Sequence, residues 1–414
     1  MRHHRVVSRR IAVLVPAVCL VLSGCVRLEA PTPDSALEEV AQPALLTLEP
    51  GEEDASVRLE PACPSTGATA PLTAEDLNEA FQDLDLPYWR QSDVGASAVL
   101  SDGRVLWVWG DTVRQRGTEP RMIDNSILVS SGTCVSQLLT DDIAQVLPRD
   151  PGELSTWPLS VLRMDPRPGD PVDVTDVVVV FASRVQPAEG EFAFLERGTT
   201  VAVYTVGADR VPRLAEARYL TPDDPDLGAI HWGAGSTVDG DQVYIYGTRD
   251  TSEPYVYGRE LFVSRLPVPE VVDGAALQYW DGAAWQPDAS RAAPIMDAVE
   301  GPAERLSVDV VDGRWMIFSK FGGDLADVAA VWTADSPTGP FTATPVLDTP
   351  FETPDETTED PEDKIISYMP LAHPEIPTDP GTMIVSVSRN LTDFAELLRT
   401  PERAVPLFSQ VPRP

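Results

Sequence analysis

The chain has 414 residues, with 65 acidic against 31 basic side chains and a formal net charge of −34. That balance repels phosphate backbones and anionic membrane surfaces, which argues against nucleic acid as a partner. Forty prolines and 27 glycines argue against long helices, and four histidines, two of them (His3 and His4) in the leader, argue against a histidine-rich metal centre.

Residues 1–10 are basic, residues 11–21 are apolar, and Leu22-Ser23-Gly24-Cys25 follows at once. This reads as a secretory leader over 1–24, too short to span a bilayer as a mature helix. Small residues before a cysteine resemble a bacterial lipobox, in which cleavage precedes Cys25 and its thiol takes up diacylglycerol. The expected location is extracytoplasmic, on the outer face of the cell membrane, with the lipid as its membrane contact. An ordinary leader with an incidental cysteine is the alternative. Residues 25–75 are rich in Pro, Ala and Glu without a sustained period, and read as an extended tether before a folded domain over 76–414. With Cys19 lost and Cys25 acylated, Cys63 and Cys134 remain to form a disulfide in an oxidising compartment, two free thiols being the alternative. Closing a loop of that length contributes roughly 4 kcal/mol in the chain-entropy picture.

Five apolar, strand-like runs follow: VLWVWG from 105, VVVVFA from 177, QVYIYG from 242, RWMIFS from 314 and TMIVSV from 382. Their starts lie 72, 65, 72 and 68 residues apart. Several follow a turn signal, as at Asp102-Gly103, Asp239-Gly240, Asp312-Gly313 and Pro380-Gly381. Second strands are expected at 126–131, 201–206, 261–266 and 328–333, rich in β-branched and aromatic residues. Five antiparallel units, each too small to bury its own faces, predict an all-β, five-bladed β-propeller rather than two tandem sandwiches. Residues 404–411 are the candidate closing strand. The acidic stretch 352–363 reads as a solvated loop, with a calcium site as the alternative. Trp280, Trp285 and Trp315 read as core.

The first repeat carries SDVGAS from 92, an Asp102-Gly103 turn, and Trp109-Gly110-Asp111-Thr112. The midpoint between Asp93 and Asp111 is residue 102, so a hairpin about that turn brings both carboxylates to its open end. Opposed residues there have Cβ atoms about 4.5–5.5 Å apart. Carboxylates that close perturb each other, so that one holds a proton while the other ionises, which is what glycoside hydrolysis requires. Turn capping is the alternative. The corresponding exits of the other runs carry Arg184, Arg249, Lys320 and Arg389, expected to converge on the same rim unless they only snorkel. His231 and Trp232 open the third repeat, where an imidazole and an indole suit a sugar, or a packed core. Asn125 and His373 complete the candidate binding residues, with turn and structural roles as their alternatives.

From about residue 81 to 411 the chain resembles a family of secreted bacterial five-bladed propellers long catalogued as a domain of unknown function, some of whose members are endo-D-arabinanases. The resemblance is carried by SDVGAS with DGRVLWVWGDT, MIDNSILVSSG, HWGAGSTVDGDQVYIYGT, ELFVSRLP with YWDGAAW, and AHPE with VSVSRN. WTADSPTGPF from 332 also resembles an element of furanosidase and arabinanase propellers. The resemblance implies that Asp93 and Asp111 are the acid/base carboxylates. We take Asp111 as base and Asp93 as acid. It implies no redox or nucleotide cofactor and no catalytic metal, though related propellers can hold a structural calcium in the channel.

The expectation is a monomeric, lipid-anchored hydrolase of a furanose-containing polysaccharide, with cell-envelope D-arabinan as leading substrate. The rival readings are a non-catalytic carbohydrate- or cell-wall-binding lipoprotein that uses the same rim, and a scaffold that docks proteins on its outer faces. No Gly-x-Ser-x-Gly elbow, phosphate-cradling loop or paired Cys-x-x-Cys occurs in the chain.

Overall fold

The computed structural model describes residues 57–64, 71–140, 146–147, 154–188, 194–224, 226, 228–271, 274, 276–359 and 363–414. The leader, Cys25 and most of the tether lie outside them. Each apolar run becomes the second strand of an antiparallel sheet: Val105–Val113, Asp176–Pro187, Gln242–Arg249, Arg314–Lys320 and Thr382–Leu391. The first strands, Gln91–Val99, Ser155–Met164, His231–Asp239, Ser307–Val311 and Lys364–His373, pack against one another in ring order, and the fifth returns to the first. The result is an all-β, five-bladed propeller.

Successive strand residues point to opposite faces, so each second strand feeds two interfaces. Leu106 and Val108 join Val178 and Val180 between blades one and two. Val177, Val179 and Phe181 instead face Ile245 and Phe262 of blade three. Tyr246 and Val263 meet Ile317 and Trp332, and Met316 and Phe318 meet Met383 and Val385. Burial on both faces explains why these runs are continuously apolar rather than alternating. Each such side chain contributes about 1.5–3 kcal/mol. Trp315 belongs to this core, with Trp280 and Trp285 packed against it.

Ring closure differs from the expectation. Blade five is a four-stranded sheet in the order Glu352–Pro354, Lys364–His373, Thr382–Leu391 and Leu407–Pro412, and among the described residues no further strand covers the last. Helix Ala74–Gln82 does so instead: Asn78 donates to the Phe408 carbonyl at 2.9 Å and accepts from its N–H at 2.7 Å, blocking the open edge. Thr73 and Asp76 cap the helix reciprocally, while Leu77 and Phe81 bury one face against Trp107, Trp109 and Phe408. Residues Arg58–Glu60, read above as tether, pair with Cys134–Leu139 as the outermost strand of blade one. The Cys63–Cys134 disulfide fastens that strand. In the acidic stretch, Arg403 takes the place considered for a cation: it pairs with Asp355, and with Asp363 at 2.7 Å.

Candidate active site

First strands start, second strands end and third strands start on one face of the ring, so polar residues at these ends converge. Sheet bulges aim them. Ser92 pairs with Thr112 and Val94 with Trp109, which sets Asp93 alone against Gly110 and Asp111. Val94 follows at φ 66°, in the left-handed region a β-branched residue avoids. At Gly95, φ 75°, a Cβ would lie 2.5 Å from the Trp109 ring. Backbone strain of this kind collects at functional sites. A bulge at the same level in blade five sets Tyr368, whose hydroxyl donates to Asp93 Oδ2 at 3.0 Å and accepts from the Asn390 side chain. Asp93 Oδ1 occupies the space where a Gly110 side chain would be, 2.3 Å from an ideal Cβ.

Asp93 and Asp111 keep a strip of solvent contact yet are ringed by protein. Burial pushes the Asp93 carboxyl up to about 6, against the Tyr368 hydrogen bond, the Arg305 charge and the Asp111 N–H. Asp111 is held well above the usual carboxylate range, by burial first and then by the charges of Asp93 and Asp124. Only a hydrogen bond from the Trp157 side chain opposes this. Both carboxyls are raised, Asp111 with the charges of two other carboxylates against it, so Asp93 is the one that ionises first while Asp111 keeps its proton.

A charged network adjoins the pair. Glu196 accepts from His231 Nδ1 at 3.0 Å and from Arg305 at 3.0 Å. Arg305, buried, also meets Glu304 at 2.6 Å, and Glu304 meets Arg259 at 3.3 Å. Against the upward push of burial, Arg305 and His231 hold Glu196 well below its ordinary range. Despite its burial, Glu196 holds the His231 imidazole up. Glu304 is raised by burial and by Glu196.

The structure thus brings Asp93 and Asp111 together and seats His231 in the adjoining network. The remaining candidates are occupied elsewhere. Asn125 is fully buried: it donates to the Thr156 carbonyl at 2.8 Å and accepts from the N–H groups of Val146 and Leu147. Trp232 packs on Tyr279 inside the interface of blades two and three. Arg184 is buried against Asp223, Thr200 and the Tyr219 ring, and Arg249 pairs with Glu260 at 2.6 Å. Lys320, buried, donates to the carbonyls of Ala326 and Ser367 and so ties blade four to blade five. Arg389 donates to the Val405 carbonyl at 2.7 Å. His373 ends a first strand, on the face opposite the carboxylates. It lies between Ser97 at 2.6 Å and Ser386 at 2.8 Å, and burial lowers it to about 3, so it is neutral. Asn125, Arg184, Lys320 and His373, buried with hydrogen bonds spent within the fold, have no face for a ligand, whereas Arg249 and Arg389 keep part of theirs in solvent.

Asp124, Trp157, Glu196, Glu304, Arg305, Tyr368 and Asn390 were not legible as site residues. They come from four blades and share no sequence spacing; only the closed ring brings them together. The axial cavity, of about 290 Å³, is lined in part by Asp309 and Glu375. Among the described residues no three His, Cys, Asp or Glu side chains group as metal ligands.

The family described as "Domain of unknown function (DUF5005)" matches residues 76–412. No curated protein matches the sequence. Among solved structures, a Bacteroides ovatus ATCC 8483 protein described provisionally as a hydrolase is 15% identical, with a TM-score of 0.61 over 86% of this chain and 93% of that one. This likeness establishes the shared fold. The Coprinopsis cinerea GH62 α-L-arabinofuranosidase catalytic domain is 10% identical at a TM-score of 0.43, over 86% and 97% of the two chains. A family 43 arabinoxylan arabinofuranohydrolase from Bacillus subtilis is 11% identical at 0.45, over 82% and 67%.

Proposed function

The chain belongs to the DUF5005 family, and we propose that it is a glycoside hydrolase of a furanose-containing polysaccharide, with cell-envelope D-arabinan as the leading substrate. One observation carries this reading: two carboxyl groups meet on one rim, Asp93 accepting from the Asp111 N–H, and Asp111 is pushed up by burial and by the charges of Asp93 and Asp124. Their environments support the reverse of the roles assigned from sequence. Asp111, whose carboxyl stays protonated, donates to the departing glycosidic oxygen. Asp93, ionised and steadied by Tyr368 and Arg305, takes the proton of the attacking water. The substrate class rests on the family resemblance of the sequence. The leader supports export and anchoring through Cys25, and the Cys63–Cys134 disulfide supports an oxidising compartment.

The test incubates the detergent-solubilised full chain with arabinogalactan, lipoarabinomannan and plant arabinans, beside Asp93→Asn and Asp111→Asn. Oligosaccharides released by the wild type and lost in both variants are expected. Glycan binding without product, unchanged in the variants, would replace the hydrolase with a binding protein.

A further inference from the structure

We propose that Trp157, Phe194 and Asp124 form a glycosyl subsite beside Asp111, which takes the apolar face of a neutral sugar ring on the aromatic pair and one of its hydroxyls on Asp124. This rests on the hydrolase reading above and names how that site holds its substrate.

Trp157 lies in the first strand of blade two, directly before the bulge between Pro158 and Ser160. An indole has one polar atom, its N–H, and here that donor is spent on the Asp111 carboxylate. The rest of the half-buried ring is apolar surface beside a carboxylate. Phe194 packs edge-on against it, with ring centroids 4.7 Å apart and planes at 70°. Phe194 remains 38% exposed, although it starts a strand whose later residues are buried. Two residues on, Glu196 is gripped by His231 and Arg305, so this strand end is held and Phe194 is displayed rather than loose. Exposed aromatic surface beside a polar cleft is a recognition feature.

Asp124 supplies the second half. Ile123 pairs with Thr112 and Ser126 with Trp109, which sets Asp124 across from Gly110 and Asp111, and its buried Oδ2 has no hydrogen-bond partner among the described residues. An unpaired buried oxygen is costly and wants a donor. A ligand must then offer a C–H face to the rings and an O–H group to the carboxylate, a combination that describes a sugar. The charges of Asp93 and Asp124 beside the protonated Asp111 disfavour a phosphorylated or uronic ring, which leaves a neutral glycosyl residue. Trp157 is at once a stacking surface and the positioning residue of Asp111.

The experiment measures kcat and KM of the full chain on its preferred arabinan, for wild type, Phe194→Ala and Trp157→Phe. It adds affinity electrophoresis on the same glycan in the Asp111→Asn background. Phe194→Ala is expected to raise KM about tenfold with kcat nearly kept, the size of a lost stacking contact. Trp157→Phe keeps a ring and loses the N–H, so KM moves less, while the alkaline limb of the pH–rate profile shifts upward because Asp111 loses the bond that lowered it. Turnover with a KM indifferent to Phe194→Ala would overturn the subsite and leave the hydrolase standing. Absent wild-type turnover, with glycan binding that Phe194→Ala abolishes, would overturn the hydrolase and leave the subsite standing. Binding indifferent to Phe194→Ala would overturn the subsite in either case.

Discussion

The second strand of blade one ends at Asp111, and the second strands of the other blades reach Arg184, Arg249, Lys320 and Arg389 at the same height. These positions are equivalent in the repeat and opposite in fate. Each basic side chain found a nearby acceptor, an aspartate, a glutamate or a carbonyl, and became part of the scaffold. Asp111 found other carboxylates and remained under tension. Repeat position decides where a side chain stands; the neighbours decide whether its charge is satisfied. A carboxyl that its neighbours hold far from its ordinary range is the one available for chemistry.

The sharpest way to break this comparison is to neutralise both sides of it. Asp111→Asn is expected to cut turnover by about 10²–10⁴-fold, the usual worth of a general acid. Arg249→Met, at an equivalent strand end, should leave turnover per folded molecule within a few-fold. Comparable losses would erase the distinction. Gly110→Ala comes next. A Cβ there would meet Asp93 Oδ1 at 2.3 Å, so the carboxylate must move. Roughly a 10²-fold loss of kcat follows from a misplacement of about 1 Å, with little change in thermal unfolding. A fully active variant would show that the position of Asp93 is immaterial.

Arg184→Met tests the scaffold side. It strips hydrogen bonds from Thr200 and the Thr221 carbonyl, so urea unfolding should show a loss of about 1–3 kcal/mol while specific activity is kept. Lost activity at full stability would return Arg184 to the rim. The smallest effect concerns pH. Asp93 titrates near 6 when folded, against 3.8 ordinarily, so between those values the native state binds the extra proton. Its contribution to stability is complete below about pH 4 and declines as pH rises through 6. Asp93→Asn should flatten that decline, and a wild type whose stability rose across the window would contradict the raised carboxyl.

Much of the architecture was legible because it is written in short range. Continuous runs such as VLWVWG, spaced near seventy residues and in three of five cases preceded by an Asp-Gly turn, specify strands buried on both faces, and the hairpin about Asp102-Gly103 is enough to pair Asp93 with Asp111. The helix Ala74–Gln82 left a readable sign in Thr73 and Asp76, three residues apart before Leu77 and Phe81. The edge strand it covers, over three hundred residues away, was legible as a strand near 404–411, but nothing local marked the two as partners.

What the sequence by itself determined was therefore the number of blades, the direction of each strand and the carboxylate pair, since all three depend on alternation and turns within one repeat. The tertiary structure alone decided which carboxylate keeps the proton, which basic residues were consumed by the scaffold, and that Tyr368, Trp157 and Arg305 would surround the pair. Those outcomes depend on burial and on distances between separate blades. Closing the ring sets these distances, and no local spacing encodes them.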